Sequence, residues 1–261
     1  MPEYPFHTAP FPISRQSVID AGYLANKRHI IHGLIEADIT PIKSFIRDHK
    51  QKTGETVSFT AYLVMCLARA IQQHPHIQAY RGWRGHLVIY DAVDVVTLIE
   101  TEKNGVAIPH IIRDAHQKSL DDIHQEIRRV QSKRENSPQQ FKQPLAFKMP
   151  RFIRLPLMRL ALKNPHAMKR NAGTVVITSV GMFGEGHGWG IGFLGFHTMG
   201  LTVGGMFQRP KLIDGAWHNR DMLCITLSFD HDVVDGAPAS RFAKDFVALL
   251  ESGFGLDQIA P

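Results

Sequence analysis

Ser228-Phe229-Asp230-His231-Asp232-Val233-Val234-Asp235-Gly236-Ala237 closes an alternating segment and opens a helical one. Upstream, Leu223, Ile225, Leu227 and Phe229 share one face of a two-residue period, which predicts a strand over Met222 to Phe229. Downstream, Phe242, Phe246, Leu249 and Leu250 fall at helical spacing, which predicts a helix over roughly Pro238 to Glu251. His231 therefore stands where a rigid strand meets a loop, a common place for catalytic side chains. Imidazole titrates near ~6.5, so a histidine with a carboxylate four residues on, Asp235, suits proton transfer near neutral pH. Three readings of this spacing stay open. His231 is a general base, or a structural or solvated histidine among the fifteen in the chain, or half of a His-x-x-x-Asp metal pair. No third ligand stands at a convincing spacing for the metal.

Working outward, Thr174 to Val180 is a β-branched run and reads as a strand. Gly181 to Gly200 is glycine-rich and reads as a long loop that turns tightly or approaches a ligand closely; its part from Gly184 to Gly200, with Trp189, Phe193, Phe196 and His197, is a candidate pocket lining. Leu201 to Phe207 is a further strand. Towards the N-terminus, a short helix is expected around Ser17 to Lys27, a strand over His32 to Ile39, and a helix from Ile42 to Thr53 stopped by Gly54. Ser58 is a good N-cap for a helix that His74-Pro75 ends. Leu87 to Tyr90 and Val93 to Glu100 read as strands, and Lys103-Asn104-Gly105 turns into another at Val106 to Ile108. Ser119 with Asp122 three residues on opens a helix with Leu120, Ile123, Ile127 and Val130 on its apolar face. Strands and helices are interspersed, so the fold class is α/β (α+β), a mixed sheet covered by helices.

With 261 residues, 44% hydrophobic and 21% charged, the chain has ordinary globular composition and reads as one domain over residues 1–261. No apolar run is long enough to span a bilayer, and the N-terminus lacks the regions of a signal peptide. Cys66 and Cys224 sit in apolar runs and read as small buried residues of a reducing compartment, so a cytoplasmic location is expected. The charge is uneven. From Asn136 to Gly184 there is no Asp or Glu but eight Lys or Arg; with +6 for the whole chain, the remainder carries −2. This basic, proline-interrupted insertion, at about residues 137–170, should meet something anionic.

Four motifs in order carry a resemblance: the His231–Gly236 segment, Ser58 to Tyr80 with its Gln-Gln-His-Pro-His close, Val93 to Arg129 with Asn104-Gly105-Val106-Ala107-Ile108-Pro109, and Gly173 to Gly184. Together they cover most of residues 28–253. They resemble the catalytic domain of the 2-oxo-acid dehydrogenase acyltransferases (the dihydrolipoamide acyltransferase component) within the chloramphenicol-acetyltransferase-like superfamily. The resemblance implies that superfamily's two-layer fold and an acyl transfer between coenzyme A and a dihydrolipoyl or other thiol acceptor. It implies His231 as base for the thiol proton and Thr178 in the place of the oxyanion-stabilising hydroxyl. Ser179, Gly181, Phe183 and His197 are expected at the substrate. Asp235 is implied to be a loop brace paired with an N-terminal arginine, for which Arg15 is the candidate. Coenzyme A is implied as a substrate, with no metal and no lipoyl group on this chain.

Three features depart from the family. Asp232 stands where an arginine is usual, either changing acceptor choice or the loop's pairing, or serving as a solvated acid. No lipoyl or subunit-binding segment is recognised and the C-terminus lacks the apolar tail of large cores, so a stand-alone homotrimer with sites between subunits is expected, with any lipoyl carrier protein supplied in trans. The insertion reads as a helical hairpin showing its charges to water, as a dock for CoA phosphates or an acidic carrier, or as an interfacial helix; Pro156 and Pro165 weigh against membrane contact. No nucleic-acid motif accompanies the charge. The alternatives for function are an acetyltransferase with a small hydroxyl or amine acceptor and an inactive scaffold.

Overall fold

Residues 4, 6–11, 14–83, 85–99, 108–135, 149–179 and 186–258 are described by the structure, a computed structural model. In chain order the elements are α1 (Ser14–Ala25), β1 (Ile30–Asp38), α2 (Thr40–Thr53), α3 (Phe59–Gln73), β2 (Tyr80–Arg81), β3 (Leu87–Val88), β4 (Val95–Ile99), β5 (Ile108–Ile112), α4 (Leu120–Glu135), α5 (Arg151–Leu162), α6 (Pro165–Ala172), β6 (Val175–Ser179), β7 (Met199–Ile213), β8 (Ala216–Asp230) and α7 (Gly236–Glu251).

Local chemistry sets the helix ends. Gly54 stops α2 in the left-handed region at φ 79°, a conformation that a Cβ disfavours. Ser58 Oγ accepts from the Ala61 N–H at 3.3 Å and starts α3. Ser119 and Asp122 form a reciprocal cap on α4: Asp122 N–H donates to Ser119 Oγ at 3.1 Å, and Ser119 N–H donates to Asp122 Oδ2 at 3.0 Å. Ser58→Ala is expected to lower unfolding free energy by about 1 kcal/mol, read from the midpoint of a urea melt.

Six strands form one mixed sheet in the order β1-β8-β7-β6-β4-β5; β6 runs parallel to both its neighbours and the other pairs are antiparallel. The odd-numbered residues of β8, Ile225, Leu227 and Phe229, face the core, as their alternation requires. They belong to one buried cluster with Leu63 and Leu67 of α3 and Phe242 and Phe246 of α7. Phe229 and Phe242 stand edge to face at 6.0 Å. Each such side chain, fully buried, contributes ~1.5–3 kcal/mol. The mixed α/β class expected from the sequence holds.

Four expectations shift. The strand expected at Val106 to Ile108 is described as Ile108–Ile112; its turn lies outside the described residues. Leu87–Val88 pairs only with Tyr80–Arg81, in a separate two-stranded sheet. The last two strands run on to Ile213 and start at Ala216, joined by a tight turn at Asp214 (φ 49°) and Gly215 (φ 81°). This hairpin arm is largely exposed, so it lacks the apolar alternation that marks a strand in the core. Pro156 lies inside α5 on its exposed side, and Pro165 occupies the first turn of α6, where its missing N–H costs nothing. Over its described residues, from 149 on, the insertion is a helix pair, as the helical-hairpin reading expects. Arg154 anchors it: its Nε donates to Asp20 Oδ2 of α1 at 2.6 Å, with Arg154 4% and Asp20 0% exposed. Two charges taken out of water need such pairing.

Candidate active site

β8 delivers His231 to the end of the sheet. Three backbone hydrogen bonds pin the strand end there: Asp230 N–H to Thr198 O at 2.8 Å, His231 N–H to His29 O at 2.7 Å and Val234 N–H to Asp230 O at 2.9 Å. The imidazole itself is 42% exposed, and its Nδ1 lies 3.5 Å from Asp235 Oδ1. That separation is too long for a good hydrogen bond, so the contact is electrostatic. Asp235 caps α7 in extended conformation without a side-chain cap bond, and its carboxylate is 83% exposed. The negative charge is favourable at a helix N-terminus. A half-exposed imidazole on a rigid backbone, near a carboxylate and open to solvent, can take a proton from an incoming thiol.

The residues that hold this turn differ from the expected ones. Arg15 lies exposed on α1, and no pair between it and Asp235 forms among the described residues. Arg28 occupies the bracing position instead. Its Nη1 donates to His197 O at 2.9 Å and lies 3.3 Å from Asp230 Oδ2. The reason is register: Ile30 of β1 pairs with Asp230 of β8, so the residues just before β1 necessarily border the turn after β8. Burial raises the Asp230 carboxyl above its ordinary range, against the pull of Arg28. Arg28, His29 and Asp230 were not singled out from sequence; the pairing of the two strands is the signal that locates them.

Asp232 accounts for one of the departures. Its Oδ1 lies 2.8 Å from His29 Nδ1, so the acid pairs within the loop. The hydrogen bond to Asp232, and then its charge, raise the His29 pKa. Because the folded value is raised, the contact is fully present below ~6.5 and is lost as pH rises through the raised value. Asp232→Asn is expected to return the His29 pKa towards its ordinary value in an NMR titration; an unchanged pKa would contradict the pairing.

His197 is interior. It is 8% exposed, its Nε2 donates to Ala172 O at 2.6 Å, and burial lowers its pKa to about 4. The ring stays neutral and braces the sheet end behind the His231 turn; it does not line an open groove, because its donor is spent on a backbone carbonyl. Gly181 and Phe183 lie outside the described residues. Ser179 ends β6 beside Val203, half-buried.

Thr178 is half-buried on β6, opposite Thr202 of β7, on the sheet face away from the helices. Among the described residues its hydroxyl makes no hydrogen bond. The glycine loop folds over it: Gly192 N–H donates to Thr202 Oγ1 at 3.2 Å, and a Cβ on Gly192 would stand 2.3 Å from that oxygen and 3.0 Å from Thr178 Cγ2. Only glycine fits there. Trp189 ties the same loop to β1, its Nε1 donating to Ile35 O at 2.9 Å, while Phe193 stays exposed.

His231 and Thr178 are not brought together within the chain. Asp230 faces Thr198, just before β7, whereas Thr178 faces Thr202 of β7. Four to five residues of strand separate the two sites, roughly 15 Å at ~3.3 Å per residue, with β7 between them. A base and an oxyanion donor acting on one tetrahedral centre must each come within ~3 Å of it.

Among the described residues one group of three possible metal ligands converges: Glu36, His187 and Cys224. Arg209 Nη1 already sits 2.5 Å from Glu36 Oε2, and His187 Nε2 3.1 Å from Glu36 Oε1. The guanidinium puts positive charge where a cation would have to go, so the group reads as an ion-pair network.

A family model described as "2-oxoacid dehydrogenases acyltransferase (catalytic domain)" matches residues 26–143 and 160–255. The mitochondrial dihydrolipoyllysine-residue succinyltransferase component of the 2-oxoglutarate dehydrogenase complex of Homo sapiens is 26% identical over 217 residues, 80% of this chain and 39% of that protein. The lipoamide acyltransferase component of the branched-chain alpha-keto acid dehydrogenase complex of Bacillus subtilis (strain 168) is 24% identical over 235 residues, 87% of this chain and 48% of that protein. The chain thus spans less than half the length of these relatives. Among solved structures, a probable dihydrolipoamide acetyltransferase from Listeria monocytogenes 4b F2365 superposes with TM-score 0.73 at 19% identity, covering 95% of each chain. A chloramphenicol acetyltransferase superposes with TM-score 0.54 at 15% identity, covering 92% of this chain and 98% of that one. These two likenesses establish the fold. On the strength of the family match, which spans both the His231 turn and the Thr178 strand, the chain belongs to the 2-oxoacid dehydrogenase acyltransferase catalytic-domain family.

Proposed function

We propose that the chain catalyses acyl transfer between coenzyme A and a dihydrolipoyl or other thiol acceptor, with His231 as general base and Thr178 of a neighbouring subunit as oxyanion donor in a homotrimer. The observation that carries this reading is the placement of His231: a half-exposed imidazole on a pinned strand end, open to a thiol from solvent. The names of the two relatives point to a lipoyl group as the partner of the exchange.

The steps balance without a metal. His231 takes the proton of the attacking thiol, whose ordinary pKa of ~8.5 leaves it mostly protonated at neutral pH. The thiolate sulfur bonds to the acyl carbonyl carbon, and the carbonyl oxygen becomes an oxyanion that the Thr178 hydroxyl stabilises. Collapse breaks the bond to the departing sulfur, which takes the proton back from the imidazolium. The ~15 Å between the two residues in one chain supports a site completed by a second subunit. Asp235, four residues beyond His231, lies 3.5 Å from its Nδ1 at the start of α7.

The test is thiol release from a panel of acyl-CoA thioesters with dihydrolipoamide as acceptor, combined with sedimentation. Release with at least one thioester by a trimeric species is expected. No release across the panel overturns the reading, and a fully active monomer overturns the shared site.

A further inference from the structure

α5 is built the wrong way round for a helix that only packs on its own domain. At 100° per residue, Arg154, Met158 and Leu162 share the inner face, and the residue most buried there is the ion-paired Arg154. The outer face carries Phe152, Ile153, Pro156, Leu157 and Leu160, with Phe152 76% and Leu160 54% exposed. A helix apolar on the side turned to water is one whose cover lies outside the domain. Cations border this face: Arg159 and Lys163, four residues apart, flank a shallow groove formed with Pro156 and Leu160. Lys163 also stands 5.3 Å from the ring of Trp83, itself 69% exposed. The match to the family skips residues 144–159, so most of this helix lies outside what the relatives share in their catalytic domains.

We propose that the outer face of α5 docks on an anionic phospholipid bilayer surface. Aliphatic and aromatic side chains between arginines and lysines, with a tryptophan at the edge, match the boundary between acyl chains and phosphate headgroups. The acid-free stretch around the helix supplies the charge complement to such a surface. A soluble phosphate compound would satisfy the cations and leave Phe152 and Leu160 in water. A second copy, meeting this face heterologously as trimer symmetry requires, would have to set carboxylates against Arg159 and Lys163, whereas an anionic bilayer supplies that charge along the whole face. Contact is peripheral, since no helix among the described residues is long and apolar enough to cross a membrane. Pro156 and Pro165, which weighed against such a helix in the sequence, are accommodated inside α5 and at the start of α6.

Co-sedimentation of the full chain with vesicles tests this independently of acyl transfer. The protein is expected to pellet with phosphatidylcholine–phosphatidylglycerol vesicles at low salt, far less with phosphatidylcholine alone, and less as salt rises. Two double variants, Phe152→Ser with Leu160→Ser and Arg159→Glu with Lys163→Glu, should each weaken binding by about tenfold or more while the circular dichroism spectrum stays unchanged. Absence of pelleting at low salt overturns the proposal. So does undiminished pelleting of the Phe152→Ser, Leu160→Ser variant, which would be plain adsorption of a basic protein. A change in oligomeric state in that variant without vesicles assigns the face to a second copy and also overturns it.

Discussion

Replacing His231 by alanine is expected to lower acyl transfer by about 10²- to 10⁴-fold while the chain stays folded. The loss follows from the chemistry. At neutral pH most of a thiol is protonated, and without a positioned base its proton must leave to water before attack. Survival of the fold follows from what the side chain touches. The His231 N–H bond to His29 O belongs to the backbone and persists in alanine. The imidazole's contact with Asp235 is long and lies at the surface, where such pairs contribute about 1 kcal/mol or less. Activity and thermal melting should therefore separate: kcat/KM falls steeply and Tm barely moves. A wild-type rate with a confirmed acyl donor would remove His231 from the mechanism. A collapse of Tm would instead make it a structural residue.

How much of this was legible in the sequence depends on which residues speak locally. Helices with a chemical start or stop were readable: Gly54, Ser58 and the Ser119–Asp122 pair act within one turn of their own position. The core strands were readable because burial of one face enforces alternation, as in Leu223 to Phe229. The exposed arm from Gln208 to Asp221 was not, since a strand pair standing clear of the core needs no apolar face, and the Asp214-Gly215 turn was its one local sign. The site divides the same way. His231 announced itself through its position after a strand. Arg28 and His29, which brace its turn, are some two hundred residues away in sequence, and strand register alone brings them there. His197 looked like a pocket residue beside aromatic neighbours, yet its ring turns inward to Ala172 O, a choice that no local pattern encodes. Pro156 misled in the other direction. A proline predicts an interruption, but on the exposed side of a helix the lost hydrogen bond is tolerable.

Thr178→Val is expected to lower acyl transfer on the order of 10²-fold, and it also probes where the site is assembled. Valine keeps the β-branch and the methyl group that packs beneath Gly192, so the glycine loop retains its seat; only the hydroxyl is removed. A drop in kcat with little change in Tm is the expected signature of an interaction made in the transition state. The decisive measurement mixes this variant with His231→Ala. Each alone is crippled: one lacks the donor, the other the base. If both residues acted from one chain, no mixture would restore a complete site. With the two residues roughly 15 Å apart in the chain, the proposed site takes the histidine of one subunit and the threonine of the next. In trimers reassembled from equal amounts, a site draws its histidine from the Thr178→Val chain half the time and its threonine from the His231→Ala chain half the time. About a quarter of wild-type activity should return, far above either parent. Recovery at that level fixes both roles and the shared site together, whereas recovery no greater than the sum of the parents leaves base and donor in separate, non-cooperating places and rejects the assembly.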